Sequence, residues 1–333
     1  MSSNIQTTQA RVSALVKKYG IILVLFLMII GLSITQPVFL TAANLINILN
    51  QTAIFGIMAV GLTFVIISGG IDLSVGSVLA FSGVIMGAMS QVDTAANPIW
   101  AYIGPFPFII CLLAAMAVGS GCGGVSGSLI AKTRIPPFIA TLGMMTVARG
   151  LALIVTGGRP VSSLNPGFNV IGSRIFNNTV PVPVLIYLVV IIVGWILLNN
   201  TKFGKSVYAL GSNRAAAEIS GINVKATLIK VYMLSGFLAA LAAIVFSART
   251  LSAHPGAGTG YELTAIAATT IGGTSHSGGI GTMWGAVVGA LVLAVLRNGL
   301  TLLGVHAHWQ GVTEGVIIVV AVVIDMRKNM VKK

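Results

Sequence analysis

The chain has 333 residues, of which 56% are hydrophobic and only 8% are charged, whereas about a quarter of the residues in an average soluble domain are charged. The apolar residues form blocks long enough to cross a bilayer as helices, so we predict an all-α integral membrane protein without a soluble domain. A net charge of +13 would suit a nucleic-acid partner, but the basic residues are spread over separate loops, as membrane topology favours, which excludes that class.

About ten transmembrane helices are predicted within a single domain, residues 19–325. A short tail, residues 1–18, precedes this domain, and a basic tail, residues 326–333, follows it. The first span comes after Arg11, Lys17 and Lys18, as in a signal peptide, but no small-residue cleavage site follows it, so the span is expected to remain uncleaved. The predicted spans cover residues 19–36, 51–68, 73–91, 106–130, 138–156, 182–198, 228–248, 261–273, 282–303 and 309–325.

Lys and Arg concentrate on one side of the membrane when the N-terminus is placed in the cytoplasm. Fourteen of the 19 then lie inside, three lie outside at Arg159, Arg174 and Arg249, and two lie within spans at Arg149 and Arg297. Because positively charged loops stay in the cytoplasm, both termini are predicted to lie there.

Two outside segments have distinct predicted roles. Residues 37–50 are amphipathic and are predicted to form a short interfacial helix. The loop 157–181 is long and rich in Gly, Asn, Pro and Ser, and a soluble partner could contact it.

Cysteine and histidine usage predicts neither a disulfide nor a metal site. Cys111 and Cys122 fall in one predicted helix, roughly 16 Å apart at the helical rise, which is too far for a disulfide. His306 and His308 alternate in a short loop, and no third metal ligand lies near them in the sequence.

The charged and hydroxyl side chains in or near the spans are candidates for a polar pathway or gate. Asp72 lines a gate, or else Asp72 or Ser74 caps the start of the third span by accepting backbone N–H groups, and these two roles are compatible. Glu262 either caps the eighth span or contacts a ligand at the outer mouth. Arg297 either pairs with Glu314 or extends to the interface. The candidate pathway set is Asp72, Ser74, Glu262, Thr270, Gly272, Gly273 and Ser275, although hydroxyls in membranes often bond to their own helix.

A polar stretch, ALGSNRAAAEISGINV, lies in the longest predicted cytoplasmic loop, residues 199–227. Asn213 can cap a helix over RAAAEIS, and Gly221 can end it. Because two helical turns are unstable alone in water, the stretch is either an ordinary surface turn or an element that docks on a partner. Arg214 and Glu218 are four residues apart, so they can pair or reach that partner.

Six stretches, taken in order, resemble the permease subunits of ribose-type, sugar-importing ABC transporters over nearly the whole chain. Each is weak alone, but the ordered set is specific. The stretches are the pattern NLxNIL at 44–49 with Asn44 and Asn47, MAVGLTFVIISGGIDLSVGS at 58–77, PPFIATLGMM at 136–145, TKFGKSVYALGSN at 201–213, GTGYELTAIAATTIGGTS at 258–275 and NGLTLLGV at 298–305.

The resemblance implies a type II ABC-importer-like permease, not an enzyme, in a bacterial cytoplasmic (inner) membrane. Its implied cargo is a neutral monosaccharide: ribose, or a related pentose or hexose such as allose, xylose, arabinose or galactose. The implied partners are an ATPase subunit that holds ATP and Mg²⁺, a periplasmic sugar-binding protein, and a second permease, identical or similar. No cofactor is expected on this chain, since the GKS at 204–206 follows Asn199 where a phosphate-binding loop needs glycine.

The same resemblance implies that the helix after Asn213 fits a groove on the ATPase. The residues implied to couple the two subunits are Asn213, Arg214, Ala215, Ala216, Glu218, Ser220 and Gly221. The family usually has glycine where this chain has Ser212, a departure that leaves the cap position intact.

Two other classes compete with this interpretation. An ion-coupled secondary sugar transporter would work without an ATPase and should carry more intramembrane acids or a clear inverted repeat. A membrane enzyme would need convergent acid–base or metal groups, and the sequence indicates none.

Overall fold

The structure is a computed structural model that describes residues 20–92, 95, 97–100, 104–175 and 179–330, so the predicted tail 1–18 lies outside the described residues. The described part is all-α apart from two two-residue strands, β1 (Arg174–Ile175) and β2 (Val180–Pro181), which pair antiparallel. Its helices are α1 (Gly20–Thr35), α2 (Ala42–Ile67), α3 (Val75–Ser90), α4 (Phe108–Thr133), α5 (Pro137–Thr156), α6 (Gly167–Gly172), α7 (Val182–Asn200), α8 (Lys202–Ser212), α9 (Arg214–Ile219), α10 (Val224–Thr250), α11 (Tyr261–Ile271), α12 (Met283–Leu302) and α13 (Ala307–Met330).

Each of the ten predicted spans overlaps with one of these helices. By length and composition, six described helices can cross a bilayer, namely α2, α4, α5, α7, α10 and α12, while α1 and α3 are apolar but shorter. The all-α class is therefore confirmed, and the total of ten spans stays a prediction. Cys111 and Cys122 both lie in α4, one helix, as predicted.

Two predicted boundaries are wrong, and one predicted loop has short elements within its predicted bounds. Residues 42–50 are the first turns of α2 and form no separate interfacial helix, because neither Gly nor Pro interrupts them. The loop 157–181 contains α6 and the β1–β2 hairpin, and Val161 forms a bridge with Ala253. α13 continues to Met330, past the predicted end of the last span at residue 325.

α2 lies at the centre of the molecule, where its residues 52–67 are all buried. It packs against α7, α10, α11 and α12. Its N-terminal end is joined to α12 by two side-chain amides, since Asn44 and Asn298 donate to each other's oxygens at 3.0 and 2.7 Å. Both asparagines belong to the stretches that carried the family resemblance, and here they satisfy each other's buried polar atoms.

The helices form two similar units of opposite direction. α2 and α10 run antiparallel, because Asn47 at one end of α2 accepts from Arg249 at the end of α10, while Ile71 after α2 accepts from Tyr232 near the start of α10. One unit consists of α2, α3, α4 and α5, and the other consists of α10, α11, α12 and α13. In the first unit α3 packs on α4 and α5, and in the second α11 packs on α12 and α13 in the same way. Between the units, α4 packs on α10, and correspondingly α12 packs on α2. This is the arrangement of an inverted repeat.

Each unit contains an interruption between its first two helices. The first break, residues 68–74, separates α2 from α3, and the second break, residues 251–260, separates α10 from α11. The starts of the two short helices meet, since Gly76 lies directly against the carbonyl of Gly258 and the carboxylate of Glu262, leaving no room for a side chain. Non-helical backbone is tolerated at membrane depth only inside protein or along a cavity, so the breaks must be enclosed in one of these two ways.

Candidate functional site

The predicted cytoplasmic loop 199–227 contains two helices, α8 and α9, which we call the coupling segment (Lys202–Ile219). α8 was not predicted from the sequence. Phe203, Val207 and Leu210 recur at helical spacing, which is the signal that identifies it. Val207 and Leu210 are buried, so α8 is attached to the body of the protein rather than free in solvent.

α9 has the predicted caps. The Asn213 side chain accepts from the amide of Ala216 at 3.0 Å, so Asn213 is the N-cap. Gly221 has a positive φ of 80°, and the amide of Ile222 bonds to the carbonyl of Ala217 at 3.1 Å, which is a glycine-ended helix terminus. The prediction of a short capped helix is confirmed.

α9 presents nearly all of its side chains to the outside. Ala217 is only 3% exposed, whereas Ile219 is 88% exposed, more than any other large apolar side chain in the described residues. Arg214 and Glu218 are exposed, and within the described chain they form no ion pair with each other. Ile219 was not predicted, because two turns of mostly alanine do not indicate which face of α9 packs inward.

The coupling segment is anchored to two helix ends. Gly211 lies against the carbonyl of Ile67 and the amide of Gly279, so closely that a side chain at this position would collide with backbone. The amide of Gly279 itself donates to the carbonyl of Ile67 at 2.8 Å, and the Tyr208 hydroxyl donates to the carbonyl of Gly281 at 2.8 Å. Movement of α8 must therefore move the end of α2 and the loop after α11.

Asp72 is in the first break and is 1% exposed. One carboxylate oxygen accepts from the amide and the hydroxyl of Ser74 at 2.9 and 2.6 Å, and the other accepts from Ser235 of α10 at 2.8 Å. Its partners in the described chain are thus amide and hydroxyl groups. Asp72 stabilises the turn into α3 by accepting a backbone amide, as one capping prediction has it, and also ties the first break to α10. Ser74 is the N-cap of α3, but its side chain accepts no backbone amide, so the prediction that Ser74 caps the helix in this way is wrong.

The second break is held by two charged side chains. Arg149 of α5 donates to the carbonyls of Pro255 and Ala257 at 2.6 and 2.8 Å. Glu262, in the first turn of α11, accepts from the amide of Gly260 at 3.2 Å. Both charges therefore satisfy backbone groups that the break leaves without helical partners.

The remaining predicted pathway residues lie at the other end of α11. The Thr270 hydroxyl bonds to the carbonyl of Ile266 at 2.8 Å and to the ring of His276 at 2.7 Å. Gly272 and Gly273 end the helix, and Ser275 is buried just beyond it. The structure thus places the seven candidates in three clusters: Asp72 with Ser74, Glu262 beside Gly76, and Thr270 to Ser275.

Arg297 and Glu314 form the predicted ion pair. The guanidinium Nη2 donates to Glu314 Oε2 at 2.6 Å and to the Thr264 hydroxyl at 2.7 Å, and Nε also bonds to the same carboxylate. The guanidinium also lies 4.6 Å from the centre of the Phe55 ring. These contacts join α2, α11, α12 and α13 around one charge-balanced centre.

Comparison with known proteins identifies relatives of nearly equal length. The family described as branched-chain amino acid transport system / permease component matches residues 44–322. The ribose import permease protein RbsC of Bacillus subtilis (strain 168) is 42% identical over 332 residues, 98% of this chain and 99% of the relative. RbsC of Escherichia coli (strain K12) is 43% identical over 317 residues, which are 92% of this chain and 93% of the relative. The galactose/methyl galactoside import permease protein MglC of Haemophilus influenzae is 35% identical over 326 residues, which are 96% of this chain and 97% of the relative. No solved structure matches the chain.

Removing one member of the Arg297–Glu314 pair should destabilise the protein more than removing both. Arg297→Leu leaves a carboxylate in the interior without its cation, which costs on the order of 3 kcal/mol. The double variant with Glu314→Leu should lose less than the sum of the two single variants, measured by thermal unfolding of the purified protein in detergent. Arg174→Leu, at an exposed position, is the control. Additive losses would contradict the assigned coupling.

Proposed function

The chain belongs to the permease family described as branched-chain amino acid transport system / permease component, and it is the membrane subunit of an ABC importer; we propose that its cargo is a neutral monosaccharide, ribose or galactose. It is a multi-pass membrane protein that performs no covalent chemistry and holds no cofactor, because a partner subunit hydrolyses ATP. The observation that carries the cargo proposal is the near full-length identity to ribose and galactose permeases.

The permease works in a complex with an ATPase and a sugar-binding protein. In this proposal the coupling segment and both termini face the cytoplasm, the binding protein delivers the sugar to the opposite face, and two permease copies enclose the pathway. The ten predicted spans bring both ends of the chain to the same side, as this arrangement requires.

α9 is proposed to be the contact through which the ATPase acts. Its exposed face combines an apolar side chain, Ile219, with the charged side chains Arg214 and Glu218. An apolar anchor surrounded by polar groups is the usual composition of an energetically dominant interface spot. Burial of Ile219 in a groove of the ATPase would make α9 follow the ATPase when ATP closes it.

The two breaks are proposed to be the moving parts of the gate. Displacement of α9 passes through α8 to the carbonyl of Ile67, which immediately precedes the first break, and to the loop after α11. The starts of α3 and α11 touch each other through Gly76 and Gly258, so a shift of one break shifts the other. Alternating access would then arise from small rotations of the two inverted units.

The competing class of ion-coupled transporter has less support. The inverted repeat occurs in this chain, so it does not distinguish the two classes, and the full-length relatives do. Glu314 is paired with Arg297, and Asp72 is bonded by three amide or hydroxyl donors, so both acids already have stabilising partners inside the protein.

Sugar uptake should require both ATP and the binding protein. Membrane vesicles that contain this permease with its ATPase should accumulate labelled ribose or galactose only when ATP is inside and the binding protein is outside. Withholding ATP or binding protein provides the control. Uptake by the permease alone, driven by a proton or sodium gradient, would contradict the proposal.

Ile219→Ser should separate the ATPase from an intact permease. The side chain is 88% exposed, so its loss should change the thermal stability of the permease by less than about 0.5 kcal/mol. Loss of a central apolar anchor typically costs about 2 kcal/mol or more of binding, so co-purification of the ATPase and uptake should both fall at least tenfold. Lys225→Ser, an exposed change just outside α9, is the control. Unchanged co-purification would exclude Ile219 as the anchor.

A further inference from the structure

A cavity of about 360 Å³ lies between α2, α10, α11 and α12. Sites for small molecules span roughly 300–1,000 Å³, so this cavity suits a small ligand. The side chains that give it its chemistry are Gln51, Phe55, Phe246, Arg249, Tyr261 and Arg297. Two guanidinium groups and an amide are costly to expose to lipid, so the cavity must open to water or to protein.

Asn47 positions the polar rim of the cavity. Its side-chain oxygen accepts from Arg249 at 3.1 Å, and the Gln51 amide lies 3.4 Å from the same atom. The residue belongs to the NLxNIL stretch, but neither the coupling segment nor the breaks involve it. Holding an amide and a guanidinium side by side provides several hydrogen-bond donors in fixed directions.

The base of the cavity is aromatic and balanced in charge. Glu314 neutralises Arg297, whose guanidinium covers the Phe55 ring. Tyr261 contacts Phe55 edge to face at 4.6 Å and lies 6.3 Å from Phe246, also edge to face. An aromatic base with polar donors above it matches a small molecule that bears hydroxyl groups and has one apolar face, and a monosaccharide has this chemistry.

We propose that this cavity is a transit site for the neutral monosaccharide on the side of the permease that receives it from the binding protein. The inference rests on the proposed function for the identity of the cargo and for the orientation of the chain. Gln51 is at the start of the second predicted span, and Tyr261 is the first residue of α11, so the cavity leads from the outer surface to the second break. A few polar contacts give weak binding, which allows the sugar to leave again.

Cysteine protection in the complete importer tests the site directly. Gln51→Cys and Thr250→Cys place a thiol in the cavity wall, and Ala43→Cys places one at an exposed position of α2 outside the cavity. Each variant, in complex with the ATPase and the binding protein, is labelled from outside with a membrane-impermeant methanethiosulfonate. Labelling is repeated with millimolar ribose, galactose or galacturonate, and the parent chain gives the background from Cys111 and Cys122.

Ribose or galactose should slow labelling of the two cavity thiols several-fold and should leave labelling of Ala43→Cys unchanged. The same protection is expected when the labelling is repeated on the complex without the binding protein. Thr250→Cys carries the test if Gln51→Cys does not fold. The assignment of the transit site is wrong if the cavity thiols are not labelled or if neither neutral sugar protects them. It is also wrong if only galacturonate protects them or if the binding protein protects them without sugar. ATP-driven uptake by the parent complex is measured in the same preparation, so failure of the transport function is seen separately.

Discussion

The two helix breaks impose the constraint on which the rest of the structure depends. Backbone amides and carbonyls freed inside a bilayer have no water to bind, so the protein itself must supply their partners. Here Asp72 accepts from the amide of Ser74 at the first break, and Arg149 donates to the carbonyls of Pro255 and Ala257 at the second. Charged side chains of the interior therefore satisfy part of the non-helical backbone at both breaks.

This constraint also explains how a displacement of the coupling segment can be transmitted to the breaks in the interior. Non-helical backbone within the membrane cannot move independently of the rest of the protein, because each of its hydrogen bonds must be kept or replaced. The end of α2 is held by Gly279, and Gly279 and Ile67 both lie against Gly211 of the coupling segment. A close contact at the surface is thereby connected to the first break directly and, through Gly76 and Gly258, to the second break.

The sequence predicts the helices of this fold better than their contacts. Hydropathy located the ten helices that correspond to the predicted spans, and Asn213 and Gly221 identified the ends of α9, because these signals are local. α8 was missed because its apolar residues Phe203, Val207 and Leu210 lie in a loop that is otherwise polar.

The meeting of the two breaks and the Asp72–Ser235 bond involve residues far apart in sequence. A single chain without related sequences carries no signal for such pairs. The Arg297–Glu314 pair was the exception, because so few charged residues lie within the spans that their partners are easily matched.

The most direct measurement is ATP-driven sugar uptake by the complete importer after residues 214–220 are replaced by a Gly/Ser linker of equal length. The account predicts that the variant inserts in the membrane and unfolds at nearly the parent temperature, because all of these residues except Ala217 contact the body little. It also predicts that uptake is abolished and that the ATPase no longer co-purifies with the permease. Uptake at the parent rate would show that the ATPase drives the permease through another surface, and the central claim would then be wrong.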